Sequence, residues 1–389
     1  MVLCSKSTSK LEEIDRQLVK LLGERIAAMA DSPDEIDSTA LKTELDASGV
    51  PEFVWRRLLT SAKAAVKITP TDDSRSSTDF SKTNSPKRVT LIGGTGKMGL
   101  FFAEQLIDAG HQVELMGRND WQDAEVLLGN ADLVMVCVPT QQAVSVIEKA
   151  APYLRQTTAL TDIISIKAPI LEAMLTHHSG PVMGLHPMFG PGIRSFLSQN
   201  VVVCPGRTDE AFDWLLRLIK RQGGQLRTSS ASEHDRMMAT VQGIRHFMTF
   251  GLGVFLATEG VDVARSLELS SPLYRLAIAT ASRLFAQSGS LSLEIMIGSP
   301  ESRSLLERLS QTIAQLASAA GSGDVERLKT AFEMAHQAFQ TVVPDALPET
   351  DHIIESLSIF LAASRVEQSA ADCQQKSMQW STQLDRIVN

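Results

Sequence analysis

Residues 88–99 read R-V-T-L-I-G-G-T-G-K-M-G. Arg88 to Ile92 is a short apolar run of strand composition that breaks at once into glycines. Gly94, Gly96 and Gly99 stand at G-x-G-x-x-G spacing, a helical stretch follows through Leu106 to Ala109-Gly110, and Val113 to Met116 reads as a second strand. Strand, glycine turn, helix, strand is the context in which this spacing points to a dinucleotide site. Gly94 permits the tight turn, Gly96 lets the backbone approach a pyrophosphate, and Gly99 lets helix and strand pack closely. Lys97 and Met98 open the helix, whose N-terminus faces the phosphates.

The end of the second strand usually carries Asp or Glu for the ribose of NAD. Here the run is Met116-Gly117-Arg118-Asn119-Asp120. A small residue followed by Arg118 accommodates a 2′-phosphate better than a carboxylate would, which favours NADP. If Asp120 serves the ribose instead, the cofactor is NAD. Ala131 to Pro139 is apolar without alternation, as a buried parallel strand should be, and Val138 and Pro139 lead into a loop expected along the cofactor. Further strands are expected at 159–164, 182–185 and 201–204, with helices at 169–176 and 209–221. This alternation predicts an α/β fold, a Rossmann-like doubly wound parallel sheet over 88–230. From Ser232 the pattern turns helical, which predicts an all-helical substrate and dimerisation domain over 231–389. Residues 1–66 hold amphipathic helices at 8–30 and 52–66, and 67–87 has the Ser, Thr, Asp and Pro content of a linker.

The net charge of −8 argues against a nucleic-acid surface, and no apolar run approaches a membrane span. The N-terminus has no apolar stretch of secretory type. Cys4, Cys137, Cys204 and Cys373 are scattered without metal-ligand or disulfide spacing, which fits free thiols in a reducing cytoplasm.

Residues 180–192, G-P-V-M-G-L-H-P-M-F-G-P-G, read as a buried strand that breaks into a stiff loop. This sets His186 at a strand's carboxyl end, where open α/β sheets keep their chemistry. Ser165 stands at the neighbouring strand end. Oxidation of an alcohol needs a hydride acceptor and a base, and a neutral imidazole suits the second task. His186 is therefore the candidate base, with Ser165 bonding it or the substrate hydroxyl. His246 and Arg283 lie in largely apolar helices. Arg275 and Arg283 serve either a substrate carboxylate or an ion pair between helices. His111, His177, His178, His234, His336 and His352 read as surface or structural, and none is paired at metal-ligand spacing.

Together G-G-T-G-K-M-G, V-P-T, D-I-I-S-I-K, G-L-H-P-M-F-G-P, E-H-D-R-M-M-A, R-H-F-M-T-F and S-S-P-L-Y-R-L-A resemble the prephenate dehydrogenase family over about residues 86–345. The likeness is to its bifunctional chorismate mutase–prephenate dehydrogenase members. The resemblance implies NAD(P)-dependent oxidative decarboxylation of prephenate to 4-hydroxyphenylpyruvate, towards tyrosine, by a homodimer joined through its C-terminal helices. Arogenate and 4-amino-4-deoxyprephenate are the alternative substrates, and a non-catalytic ligand-sensing dimer is the alternative of another class. By motif, the resemblance implies a catalytic role for His186 and a substrate-hydroxyl role for Ser165. It implies substrate binding by His246, a ring-carboxylate anchor at Arg283 and a cofactor role for His178. The strand-end acid of NAD-using members has no match at Gly117. Residues 1–66 resemble the mutase domain in L-E-E-I-D-R-Q-L-V-K-L-L-G-E-R-I, where Arg25 matches one site arginine. The other site cations are missing, which implies a degenerate segment without mutase activity, since a mutase clamps a dianion with several cations.

Overall fold

The computed structural model describes residues 3–31, 41–66, 85–286 and 289–388. The chain divides into two compact units, Met1–Asp235 and Arg236–Asn389. The expected linker falls outside the described residues up to 84.

The first unit begins with α1 (Leu3–Asp31), α2 (Lys42–Ser48) and α3 (Glu52–Val66). Arg25 of α1 lies over the Trp55 ring of α3, 5.2 Å from its centroid. Leu11, Ile14, Leu18 and Leu21 of α1 remain exposed. The sheet follows: β1 (Arg88–Ile92), α4 (Lys97–Asp108), β2 (Gln112–Met116), α5 (Ala124–Gly129), β3 (Leu133–Val136), α6 (Thr140–Ala150), β4 (Ala159–Asp162), α7 (Ala168–His177), β5 (Val182–Pro187), β6 (Asn200–Arg207), α8 (Asp213–Arg221) and β7 (Gln225–Thr228). Strand order is β2-β1-β3-β4-β5-β6-β7. Order reverses at β1, between β2 and β3, which is where such sheets open a ligand crevice.

Both faces of the sheet are covered, because successive side chains alternate across a strand. Val134 and Val136 pack with Leu128, Ile147 and Met174 on one face. Leu133 and Met135 pack with Phe102, Leu106, Leu215 and Ile219 on the other. The doubly wound architecture is as expected, but the sheet is not wholly parallel. β5 and β6 pair antiparallel, and β7 runs parallel to β6. Residues 188–199 contain no helix, and a parallel neighbour needs a crossover that is usually helical. β7 escapes the sequence reading because Leu226 is its one apolar residue.

The two compact units divide after Asp235, within α9 (Ala231–Met238). The second unit is helical: α10 (Arg245–Thr258), α11 (Val263–Glu268), α12 (Pro272–Phe285), α13 (Gly289–Ile297), α14 (Pro300–Ser322), α15 (Val325–Phe339) and α16 (Val343–Val388). Local sequence sets several starts. The Ser271 hydroxyl accepts from the Tyr274 N–H and the Ser299 hydroxyl from the Ser302 N–H, each with proline at the next position. A π-helical stretch, Ala239–Ile244, joins α9 to α10 without a break. Among the described residues no helix is long and apolar enough to cross a membrane.

Candidate active site

The glycine turn packs backbone on backbone. Gly93 has φ 79°, so it and not Gly94 takes the left-handed turn position. A side chain on Gly94 would begin 2.8 Å from Leu91 and Leu115. A Cβ on Gly99 would lie 2.6 Å from the Gly94 Cα, so α4 rests directly on the turn. Gly96 is the helix N-cap and provides no side-chain cap. A Cβ there would meet only the Gly93 carbonyl, at 3.3 Å. The N–H groups of Lys97, Met98 and Gly99 precede the first intrahelical bond, Leu100 N to Gly96 O at 2.8 Å. An open glycine cradle below a helix N-terminus fits the pyrophosphate of NAD(P).

Neighbouring strand ends line this turn. The Val138 side chain and the Cys137 carbonyl each stand 2.8 Å from the position of a Gly93 Cβ. Pro139 is the N-cap residue of α6. After β2, the Asp120 carboxylate accepts the Gly117 N–H at 2.7 Å, while Arg118 is exposed. The acid is thus engaged with its own turn, and the nearest cation of the loop faces solvent.

His186 sits on the last turn of sheet before the loop. β5 outruns β4: Gly184 pairs with Asp162 at the end of β4, while His186 and Pro187 pair only with Val202 and Val201 of β6. The loop beyond is held to α4 by rings, since Phe189 and Phe196 both meet Phe101 edge-on at 5.2 and 5.0 Å. Ser165, half-buried, lies in the loop between β4 and α7.

The imidazole of His186 is buried, and its Nδ1 lies 2.8 Å from His234 Nε2. His234 Nδ1 lies 2.8 Å from Asp235 Oδ1. Asp235 in turn accepts the Lys167 and Ala168 N–H groups, both at 2.8 Å, and so caps the N-terminus of α7. Burial alone would raise the Asp235 carboxyl, but the bonds from His234, Ala168 and Lys167 hold it below the usual range. Burial, then the Lys167 ammonium, push His186 well below the ordinary histidine value, and a proton gained by His234 would push it further, against the opposing pull of Asp235. His234, read from the sequence as surface or structural, is buried and belongs to this cluster. No spacing in E-H-D-R-M-M-A announces it, because its partner is 48 residues away.

Lys167 is buried beneath the cluster. Its ammonium donates to the Asp162 carboxylate and, at 2.8 Å, to the Leu185 carbonyl. Gly184 makes room for it, since a Cβ there would sit 3.2 Å from Lys167 Cδ.

His178 is elsewhere. It ends α7, and its Nε2 donates to the Thr158 carbonyl at 2.7 Å. Thr158 precedes β4, whereas the glycine turn follows β1 and His186 lies at the carboxyl end of β5. The four steps from Thr158 to Asp162 span roughly 13 Å of strand rise. The His178 ring is thus engaged at the amino end of β4.

In the second unit His246 is buried on α10, with Nδ1 2.8 Å from the Gln242 carbonyl and the Arg245 guanidinium against its ring. Arg283 is exposed on α12. The two are on packed helices: Phe285, just after Arg283, meets Phe250, one turn after His246, with centroids 5.9 Å apart.

Comparison with known proteins agrees with this layout. The family described as "Prephenate dehydrogenase, nucleotide-binding domain" matches residues 106–228, and "Prephenate dehydrogenase, dimerization domain" matches residues 230–334. The T-protein of Haemophilus influenzae is 32% identical over 359 residues, covering 89% of this chain and 95% of that protein. The T-protein of Enterobacter agglomerans is 34% identical over 368 residues, covering 89% and 96%. A crystal structure of prephenate dehydrogenase from A. aeolicus with hydroxyphenyl propionate and NAD+ shares the fold, with TM-score 0.54 at 16% identity over 67% of this chain and 100% of that one.

Proposed function

The chain belongs to the prephenate dehydrogenase family, and we propose that it oxidatively decarboxylates prephenate to 4-hydroxyphenylpyruvate with His186 as the base. NAD(P)+, when bound, accepts hydride from the ring carbon that bears the hydroxyl. His186 takes the hydroxyl proton as the carbon–oxygen double bond forms. The carbon–carboxylate bond then breaks, carbon dioxide leaves, and the freed pair makes the ring aromatic. The negative charge arrives on the ring oxygen, where His186 returns its proton. Proton, hydride and carbon dioxide balance without a further reagent. Arg283 anchors the ring carboxylate, His246 binds the substrate, and Ser165 bonds the substrate hydroxyl.

The observation that carries this reading is a buried imidazole held at a strand's carboxyl end by a bond to its Nδ1, where burial disfavours its charged form. Gly93, Gly94, Gly96, Lys97, Met98, Gly99, Val138 and Pro139 form the nucleotide cradle. NADP is the preferred cofactor, since Arg118 is the cation after β2 and Asp120 is engaged at Gly117. We also infer a homodimer through the helical unit, where Leu269, Phe332, Met334, Phe339 and Phe360 are exposed. The free thiols of Cys137 and Cys204 fit a reducing cytoplasm. Residues 1–66 offer Arg25 alone of the matching site cations, so no chorismate mutase activity is expected of them.

The test is the absorbance of reduced nicotinamide, followed with prephenate, arogenate and 4-amino-4-deoxyprephenate and with each cofactor. Turnover of prephenate with His186→Asn should fall by roughly 10²–10⁴-fold while KM values hold. Arg283→Gln should raise KM for prephenate, and Arg118→Ala should raise KM for NADP more than for NAD. Undiminished turnover in His186→Asn overturns the assignment.

A further inference from the structure

Three residues in line determine which nitrogen of His186 can act. An ionised carboxylate only accepts hydrogen bonds. Asp235 Oδ1 receives the Lys167 N–H and faces His234 Nδ1 at 2.8 Å, so His234 carries its hydrogen on Nδ1. In the neutral ring that leaves Nε2 as an acceptor. His186 Nδ1, 2.8 Å away, must then be the donor. The lone pair of His186 is therefore on Nε2.

We propose that His234 and Asp235 are positioning residues for the dehydrogenase reaction: through two successive hydrogen bonds they hold His186 in the Nδ1–H form, so that Nε2 receives the substrate proton. This rests on the reading of His186 as the base. Protonation at Nε2 leaves the Nδ1–H bond to His234 intact, so the imidazolium forms without rearrangement. Asp235 is the carboxylate whose charge favours that cation, against the Lys167 ammonium. Two backbone N–H groups from the start of α7 fix the carboxylate, so the pair is set by the same helix that follows the Ser165 loop.

An acid one residue from its histidine has a bland use, as a cap for α7. The two roles separate by substitution. Asp235→Asn keeps an acceptor for α7 but presents an amide N–H either to α7 or to His234. Facing His234 it reverses both hydrogen bonds and moves the His186 hydrogen to Nε2, the wrong tautomer for a base. His234→Gln keeps an acceptor oxygen near the place of Nε2, and His234→Leu removes it, while both leave the α7 cap untouched.

The experiment measures kcat, KM and their pH profiles for the full chain carrying each substitution, together with Tm and the histidine nitrogen resonances. In Asp235→Asn, kcat should fall by roughly 10²–10⁴-fold with KM for prephenate and cofactor within about threefold, and the acidic limb should move to lower pH as the nearby negative charge is lost. His234→Leu should fall likewise, and His234→Gln should recover part of the loss. If Asp235→Asn does not fold, the His234 pair decides alone. Turnover near that of the parent in Asp235→Asn or His234→Leu, or losses that follow Tm with an unmoved pH limb, would overturn the proposal. His186→Asn separates the two readings: if it alone is inactive, the base stands and the positioning role fails.

Discussion

Lys167 donates to the carbonyl of Leu185, the residue before His186, at 2.8 Å. The same ammonium holds Asp162, so one buried side chain ties the end of β4 to the end of β5. Removing one partner of such a pair leaves a buried charge uncompensated. Lys167→Met should destabilise the protein by about 3–5 kcal/mol. Adding Asp162→Leu should recover most of that loss. Thermal unfolding of the single and double variants reads both effects, and equal Tm values for the two would contradict the pairing.

The glycines of the turn should separate folding from binding. Gly99→Ala places a methyl 2.6 Å from backbone that cannot yield without moving α4. It should lower stability by about 1–3 kcal/mol and weaken cofactor binding. Gly96→Ala meets one carbonyl at 3.3 Å and lies on the open side of the cradle. It should leave Tm nearly unchanged and still weaken binding. Calorimetric titration with NAD and NADP checks this, and tight binding by Gly96→Ala would mean the pyrophosphate lies elsewhere.

His178→Leu distinguishes a scaffold histidine from a cofactor ligand. Its loss leaves the Thr158 carbonyl without the ring N–H, a change of about 1–3 kcal/mol. Tm should fall while KM for either cofactor holds in the folded fraction. A selective rise in the cofactor KM would return His178 to the nucleotide site.

The depressed histidines predict the acid side of both activity and stability. His186 is lowered by burial first and then by the Lys167 ammonium, and burial also lowers His178 and His246. In the unfolded chain each takes a proton near pH 6.5, about the model-peptide value. The unfolded state therefore binds more protons between the folded and unfolded values. Stability from these groups is complete above about pH 6.5 and declines as pH falls below it. The acidic limb of kcat/KM should likewise lie below the ordinary histidine range. A limb at or above about pH 6.5 would show His186 to be less shielded than its burial indicates.

Particular residues mark how far the chain could be read before its coordinates. The run from Arg88 to Gly99 announces strand, turn and helix because each rests on local rules: apolar composition, glycine backbone freedom and helical period. His186 was legible for the same reason, as an apolar strand broken by proline and glycine. The roles within the turn were less so, since Gly93 and Gly94 are adjacent and only their dihedral angles and neighbours tell which turns and which packs. The reversal at β6 left a weak trace, the absence of helical period between His186 and Asn200.

The sequence by itself determined most of the strands and helices, the glycine spacing and the placing of one histidine at a strand end. These follow from interactions among residues a few positions apart. Tertiary structure alone decided that His234 and Asp235 stand behind His186, that Lys167 spans two strands, and that His178 belongs to the far end of the sheet. Those partners meet across tens of residues, and hydrogen-bond geometry depends on how the strands and helices pack, which no local spacing encodes.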